Sequence, residues 1–298
     1  MNKNSVSVII PNYNGKHLLK KHLPSVIKAS KNNLNMIKEI IVVDDCSTDD
    51  SVAYIKEKYP QVKIFRHSKN RGFSFAVNTG VKNSRCSLVV LLNNDVSVSE
   101  NFVFPTLKHF EDISVFGVSF HERGYGPAIG SFENGYFVHK GLDELKETTK
   151  TMWVSGGSGV FRRSYYLKLS GMDANLFSPF YWEDVDLSYR AWKRGYKCLW
   201  EPKAIVSHIH EGTTRAIDKK FKMRIQERNH LIFMWKNITS KSLMKKHIFG
   251  LINRSLLHPG YIVVVIMALT KIGLIASFRR KEKKHIKLSD EAVLAMFS

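Results

Sequence analysis

Ser87-Leu-Val-Val-Leu-Leu-Asn-Asn-Asp95 joins five consecutive apolar residues to two amides and a carboxylate. A run of that length, rich in branched side chains, predicts a strand buried on both faces, as in a parallel sheet covered by helices. In open α/β sheets, ligands bind just beyond the carboxyl ends of the strands. Oxygen donors clustered there suit a hard divalent cation, which commonly accompanies phosphates. An Asx-rich turn needs the same residues for its own hydrogen bonds, so this stretch alone leaves both readings open.

The flanking sequence repeats the pattern. Val6–Ile10 is a short β-branched run closed by Pro11-Asn12-Tyr13-Asn14-Gly15, and Ile40–Val43 ends in Asp44-Asp45-Cys46-Ser47-Thr48-Asp49. Val62–Arg66 predicts a third strand, and Ser87–Leu92 is the fourth. Between them, Leu18, Leu19, Leu23, Val26 and Ile27 recur at helical spacing. Ser47 and Thr48 are N-cap candidates for a helix running to Lys58, and Phe73–Lys82 predicts a third helix. This alternation calls for an α/β fold: a doubly wound, mostly parallel sheet flanked by helices. Neither Gly-x-Gly-x-x-Gly nor Gly-x-x-x-x-Gly-Lys-Ser/Thr follows the first strand, which removes the support for dinucleotide oxidoreductase and P-loop readings. The strand ends carry acids, amides and a tyrosine instead. Such an edge can hold a nucleotide through base and ribose contacts plus a metal, and three ordinary turns would use the same residues.

A chain of 298 residues, 44% hydrophobic and 24% charged, has a globular composition and room for one large domain or two small ones. Its three cysteines, Cys46, Cys86 and Cys198, are widely spaced and include no Cys-x-x-Cys pair. That argues against a disulfide framework or structural zinc and fits a reducing cytoplasm. The apolar run before Pro11 is too short for the core of a signal peptide, so no export signal is expected. The net charge of +20 is uneven: residues 219–287 hold 17 Lys or Arg against two acids, Glu227 and Glu282. Such an asymmetry points to an anionic partner, either a membrane leaflet or a nucleic acid.

Further along, residues 121–150 show little periodicity and predict mobile loops or an irregular hairpin. Trp153-Val-Ser-Gly-Gly-Ser-Gly-Val-Phe161 falls short of a nucleophile elbow because Val160 stands where the last glycine is required. Its glycines leave room for a ligand to approach the backbone, or else form a bulge or tight turn. Arg162–Leu169 predicts a helix stopped by Gly171. In Phe177-Ser-Pro-Phe-Tyr-Trp-Glu-Asp-Val-Asp-Leu-Ser-Tyr-Arg190, aromatics lead into Glu183, Asp184 and Asp186 in the first turn of a helix that Gly195 ends. Acids there complement the helix dipole. An apolar wall beside them is also a setting that tunes a general base. His208 and His210, two apart after a short strand, point to one side, as metal ligands or as packing residues.

With these motifs laid out, the chain resembles the inverting family 2 glycosyltransferases of the GT-A fold, nearest to the bacterial rhamnosyltransferase-like branch that decorates cell-surface polysaccharides. The resemblance covers roughly residues 5–215. It rests on five motifs in order: Val8-Ile-Ile-Pro-Asn-Tyr-Asn14, Val42-Val-Asp-Asp-Cys-Ser-Thr-Asp49, Asn70-Arg-Gly-Phe-Ser-Phe-Ala-Val-Asn-Thr-Gly80, Asn93-Asn-Asp95 and Tyr181-Trp-Glu-Asp-Val-Asp-Leu187. It implies that Pro11, Tyr13 and Asn14 line the nucleotide pocket and that Asp45 meets the base of a UDP- or dTDP-sugar. Asn70, Gly72 and Asn78 match the segment that closes over the donor. Asn93-Asn94-Asp95 stands where the family has its Asp-x-Asp signature for Mn2+ or Mg2+, with Asp95 the direct ligand, Asn93 carrying one charge fewer, and His208 matching a further ligand. Asp184, beside Glu183, matches the catalytic base. The expectation reduces to one spatial condition: residues 93–95 and Asp184 must face each other across a single cleft.

From residue 216 to 298 composition alone speaks. Ile217–Trp235 predicts a helix with interleaved basic and apolar residues, 242–257 a second amphipathic helix, and Tyr261–Phe278 an apolar stretch broken by Lys271 and followed by Arg279-Arg-Lys-Glu-Lys-Lys284. One crossing would put that basic cluster outside, against the positive-inside tendency. A helix lying in the interface of an anionic membrane, or a shallow hairpin there, fits better, and places the protein on the inner face of the plasma membrane. A small helical subdomain used in self-association remains the alternative. The expected partners are a nucleotide-sugar donor and a glycan or lipid-linked glycan acceptor. A nucleic-acid binder would spread its basic residues over a recognition surface, whereas here they cluster around apolar helices. A catalytically impaired nucleotide-sugar-binding module of the same fold is the other alternative, raised by Asn93.

Overall fold

The computed structural model describes residues 4–208 and 218–297. The first half alternates β1 (Val6–Asn12), α1 (Lys16–Ser30), β2 (Ile37–Asp44), α2 (Ser51–Lys58), β3 (Lys63–Arg66), α3 (Phe73–Asn83) and β4 (Leu88–Leu92). There follow β5 (Val96–Val98), α4 (Phe104–Leu107), β6 (Val115–Glu122), β7 (Ala128–Glu133), β8 (Tyr136–Gly141), β9 (Thr149–Lys150), β10 (Ser158–Arg162), α5 (Arg163–Lys168), α6 (Ala174–Phe177), α7 (Glu183–Lys193) and β11 (Lys197–His208). The last third is helical: α8 (Lys219–Asn237), α9 (Lys241–Leu257), α10 (Ile262–Leu269), α11 (Ile272–Glu282) and α12 (Asp290–Leu294).

The main sheet runs β3-β2-β1-β4-β10-β6-β11-β5, with β9 on β11. Its first four strands are parallel, as expected. β10 then lies antiparallel between β4 and β6, and β11 parallel to β6. The opening stretch behaves as its composition requires. Val89 and Leu91 join one apolar layer, while Leu88, Val90 and Leu92 join the other, because alternate side chains leave opposite faces of a strand. A continuous apolar run is the signature of a strand covered on both sides. Strand order reverses between β2-β1 and β1-β4, so the ends of β1 and β4 form the switch point where such sheets bind ligands.

Three expectations change. Ser47 and Thr48 do not cap α2, which begins at Ser51; Asp49 accepts from the Ser51 amide at 3.1 Å, and the Ser47 hydroxyl accepts from the Asn14 amide at 2.9 Å. Within residues 121–150, β7 and β8 form a regular antiparallel hairpin. Its turn is Asn134-Gly135, with φ of 50° and 85°, the short-range hairpin signal that periodicity alone overlooks. Finally, α8 is not amphipathic along its length. Leu231, Ile232, Phe233 and Met234 are all fully buried, in one apolar cluster with Phe137, Tyr189 and Trp192 from the first two thirds of the chain. The expected boundary at 215/216 lies outside the described residues.

Candidate active site

The ends of β1, β2 and β4 are tied together by side-chain amides. The Asn94 side-chain nitrogen donates to Asn12 Oδ1 at 2.9 Å, and the Asn12 side-chain nitrogen donates to Asp44 Oδ1 at 3.3 Å. Gly15 allows this bridge: a Cβ there would lie 2.3 Å from the Asn94 amide nitrogen. The three Asx-rich strand ends therefore do act as turns, and the turns build the floor of a cavity. That cavity measures about 640 Å³ and is lined by Pro11, Tyr13, Asp45, Asn70, Gly72, Asn93, Asn94, Asp95, Glu183, Asp184 and His208, among others. Residues 93–95 and Asp184 thus line one cavity.

Two expected residues are not on the cavity wall. Asn14 has φ of 49°, and its side-chain oxygen accepts from the Thr48 amide at 2.7 Å, stitching the first two loops together. Asn78 accepts from the Tyr166 hydroxyl at 2.8 Å and donates to the Met172 carbonyl at 2.7 Å, fixing the turn after α5. Asp45 does line the cavity, yet its carboxylate accepts from the amides of Arg71 at 3.0 Å and Gly72 at 2.6 Å and contacts His67 at 2.6 Å. In this arrangement it orders the 67–72 loop.

Asp95 and His208 meet because β11 pairs antiparallel with β5, setting His208 beside Val96. The Asp95 carboxylate lies 3.0 Å from His208 Nε2, and Glu122 lies 3.4 Å from Nδ1. Burial alone would raise the Asp95 carboxyl, but the hydrogen bond and charge of His208 outweigh it and hold it below the ordinary range. Burial pushes His208 down, and the two carboxylates more than reverse this, to about 9. Asp95 and His208 offer a carboxylate and an imidazole, a donor pair that suits Mn2+ completed by phosphate oxygens, whereas Mg2+ would draw on the carboxylate alone. Among the described residues no third His, Cys, Asp or Glu completes a set, and His210 lies outside them.

A titration follows from this pair. The folded pKa of His208 is raised above its ordinary 6.5, so its ion pair stabilises the metal-free protein fully below that value, and the contribution is lost as pH rises through about 9. In protein stripped of divalent ions, histidine NMR is expected to show one imidazole protonated until about pH 9, absent in His208→Gln. A midpoint near 6.5 for every histidine would refute the pairing.

The start of α7 also lines the cavity. Glu183 and Asp184 follow Tyr181 and Trp182, two consecutive non-glycine residues in the left-handed region with φ of 72° and 75°. Such strain persists only where surroundings over-determine it. Here α8 does so: the buried Asn229 amide nitrogen donates to the carbonyls of Phe177, Phe180 and Tyr181 at 2.8–2.9 Å, and Arg228 donates to Ser178 at 2.6 Å. Trp182 stacks on His230 at 4.5 Å. Replacing Asn229 by Leu is expected to strand these carbonyls, at about 1–3 kcal/mol for each one left buried without a donor. Thermal melting checks this, and an unchanged melting temperature would show that the clamp is dispensable.

The Asp184 carboxylate accepts from the amides of Gly156 at 3.2 Å and Val185 at 2.8 Å. Burial raises its pKa, and these amides oppose the rise. Glu183 is buried with Oε2 lacking a hydrogen-bond partner; burial, then the neighbouring Asp184 charge, push it to about 8. Glycines 156 and 157 make room for side chains of the chain itself. A Cβ on Gly157 would lie 2.4 Å from the Asn93 amide, and one on Gly156 3.3 Å from Asp184 Cβ. Asp186, the third acid, faces away from the cavity into a buried ion network, receiving Arg190 at 2.9 Å, Lys236 at 2.8 Å and Asn237 at 2.8 Å.

Sequence reading missed Lys222 on the cavity wall, 5.4 Å from the Tyr181 ring, and His139 between Trp153 and Trp182 at 4.8 and 5.2 Å. Burial lowers the pKa of His139, and the charge of Asp184 opposes this. Neither residue lies in a local motif.

Residues 7–169 match the model of the family described as Glycosyl transferase family 2. The chain belongs to that family. Among curated family relatives, an N-acetylgalactosaminyltransferase 7 of Drosophila melanogaster is 26% identical over 237 residues, covering 69% of this chain and 39% of that protein. The chain therefore spans about two fifths of that relative's length. An O-antigen chain rhamnosyltransferase of Salmonella typhimurium is 25% identical over 221 residues, covering 70% and 68% respectively. A solved structure of GalNAc-T7 with UDP, GalNAc and Mn2+ superposes with a TM-score of 0.65 over 89% of this chain and 58% of that one, at 19% identity. At that identity the likeness speaks to the fold, which is the GT-A arrangement expected for family 2.

Proposed function

We propose that this chain transfers a sugar, with inversion, from a UDP- or dTDP-sugar to a hydroxyl of a cell-surface polysaccharide or lipid-linked glycan. The observation that carries this reading is that Asp184 and the Asp95–His208 pair line one cavity about 640 Å³ in volume. Ligand sites commonly measure about 300–1,000 Å³. Family membership and a UDP- and Mn2+-binding structural neighbour support the donor class.

In a single displacement the acceptor oxygen bonds to the anomeric carbon as the bond from that carbon to the diphosphate breaks. The electron pair leaves with the nucleoside diphosphate, and the acceptor's proton passes to one carboxylate. Asp184 suits that role, because its raised proton affinity makes it a better base than an exposed aspartate. Glu183 keeps its proton more readily, which spares the helix start from two adjacent negative charges. Asp95 and His208 would hold Mn2+, or Asp95 alone Mg2+, which when bound supplies Lewis-acid neutralisation of the diphosphate. Lys222, beside the Tyr181 ring, adds a positive charge to the cavity lining.

A thermal-shift screen of UDP, dTDP and GDP, each with and without Mn2+ or Mg2+, tests the reading. UDP or dTDP is expected to raise the melting temperature, more so with metal. Stabilisation by none of them would overturn the proposal, and stabilisation without release of nucleoside diphosphate from any sugar nucleotide would mark a binding module.

A further inference from the structure

The helices after α8 leave an apolar surface uncovered. Of the large hydrophobic side chains exposed among the described residues, half fall between positions 248 and 274. Phe249 is 76% exposed, Leu256 75% and Leu257 67%. This face is held in place from behind. On α9, Leu243 and His247 are buried, and the His247 ring bridges Trp235 Nε1 at 2.9 Å and the Gly135 carbonyl at 2.8 Å. Tyr261, just before α10, and Val264 and Ala268 on it form the inward stripe on α8, leaving Ile262, Ile266 and Leu269 outward. The helix Ile262-Val-Val-Val-Ile-Met-Ala-Leu269 has no polar residue on either side. A helix apolar all round belongs in a protein core or in lipid, and an apolar patch of this kind marks an interaction site.

Two further features select the occupant. The apolar face adjoins the exposed Lys245, Lys246, Arg280, Lys281, Lys283 and Lys284, while Glu282 is turned inward onto Arg194 at 2.5 Å. The half-exposed acid beside these helices, Glu227 of α8, is neutralised by Arg254 at 2.9 Å, so the unpaired charge is cationic and complements an anionic surface. In addition, no single described helix is long and apolar enough to cross a membrane, and α10 and α11 meet at a 58° bend at Thr270–Lys271. With 8 and 11 residues, these helices reach about 12 and 16 Å, against a hydrocarbon core of about 30 Å. Apolar helices too short to span, with a cationic rim, match a surface that sits in the headgroup region.

We infer that the outward face of α9, α10 and α11 docks onto an anionic lipid bilayer. Nothing in this inference depends on the transferase reading, and vesicle binding is measured without turnover. The test is flotation of the full chain with vesicles of phosphatidylcholine alone or with one third phosphatidylglycerol, at two salt concentrations. The expected result is at least tenfold stronger retention on the anionic vesicles, weakened by salt. Leu256→Ser combined with Leu257→Ser and Ile266→Ser should lower retention at least tenfold. Arg280→Glu combined with Lys281→Glu and Lys284→Glu should abolish the preference for anionic lipid. Hydrogen exchange on the unaltered protein keeps the test decisive if a variant misfolds, because amides of 248–274 should be protected by anionic vesicles alone. Wild-type protein that stays with the aqueous fraction, an apolar variant that floats like wild type, or no protection of 248–274 would overturn the inference. So would a wild-type dimer that the apolar variant dissolves, since the face would then cover a second copy.

Discussion

Asp184→Asn is expected to lower the rate of sugar transfer by about 10²–10⁴, the range over which a positioned general base contributes, while leaving nucleotide binding intact. The substitution is nearly isosteric. The new amide retains an oxygen able to accept from the Gly156 or Val185 amide, so the wall of the cavity should keep its shape. What disappears is the only function that needs a carboxylate, taking the proton from the attacking hydroxyl. Nucleotide contacts would lie at the ends of β1, β2 and β4 and do not need the Asp184 charge, so the thermal shift produced by UDP or dTDP should persist. Glu183→Gln is the informative companion. Glu183 is pushed to about 8 and holds its proton near neutrality, so a neutral amide resembles the group already there. A fall of less than about tenfold is expected for that variant under the same range. Transfer by Asp184→Asn within tenfold of wild type would remove Asp184 from the base role. The opposite ranking of the two variants would assign the proton to Glu183.

The second large effect is structural. Asp186 is fully buried, and replacing it with Ala leaves Arg190 and Lys236 as buried cations without their shared partner. Breaking such a network from one side costs about 3–5 kcal/mol, which a urea midpoint would register directly. Lys236 retains Asp173, at 3.1 Å, and the Phe278 and Phe177 rings, at 3.8 and 5.1 Å. The pH dependence has a definite sign. Burial alone would raise the Asp186 carboxyl, but Arg190 and Lys236 hold it below its ordinary 3.8. A folded pKa that is depressed stabilises above the unfolded value and loses that contribution as pH falls through the folded one. Wild type should therefore lose stability more steeply than Asp186→Ala as the solution is acidified below about pH 4. Equal acid slopes, or a loss under about 1 kcal/mol at neutral pH, a range ordinary for surface ion pairs, would show that the network contributes little.

These two carboxylates stand two positions apart in the same first helical turn, and their roles could not be separated by reading the chain. Both are acids at a helix start, where either a dipole contribution or a base is expected. Asp184 faces the cavity because α7 begins under Gly156. Asp186 faces inward because α8 brings Lys236 and Asn237 to it from fifty residues away. The same holds for the amides. Asn14, Asn78 and Asn94 look alike as amides beside or within the predicted elements, and only packing shows that Asn94 lines the cavity while Asn14 and Asn78 hold loops together.

What the chain determines by itself is whatever local pattern encodes. The uninterrupted Leu88–Leu92 run, divided by parity between two apolar layers, specifies a strand covered on both sides. The alternation with helices specifies the parallel half of the sheet, and the ordered motifs specify the family. Tertiary structure alone decided other contacts made over long sequence distance: the antiparallel entry of β10 beside β4, the direct ion pair of His208 with Asp95 and Glu122, the Asn229 clamp on the strained 181–182 link, and the burial of α8 in the main core. The physical reason is that a hydrogen-bonding or ionisable side chain carries no address for its partner. Periodicity states which face of an element is apolar, but where two elements dock is settled by the joint packing of the whole chain.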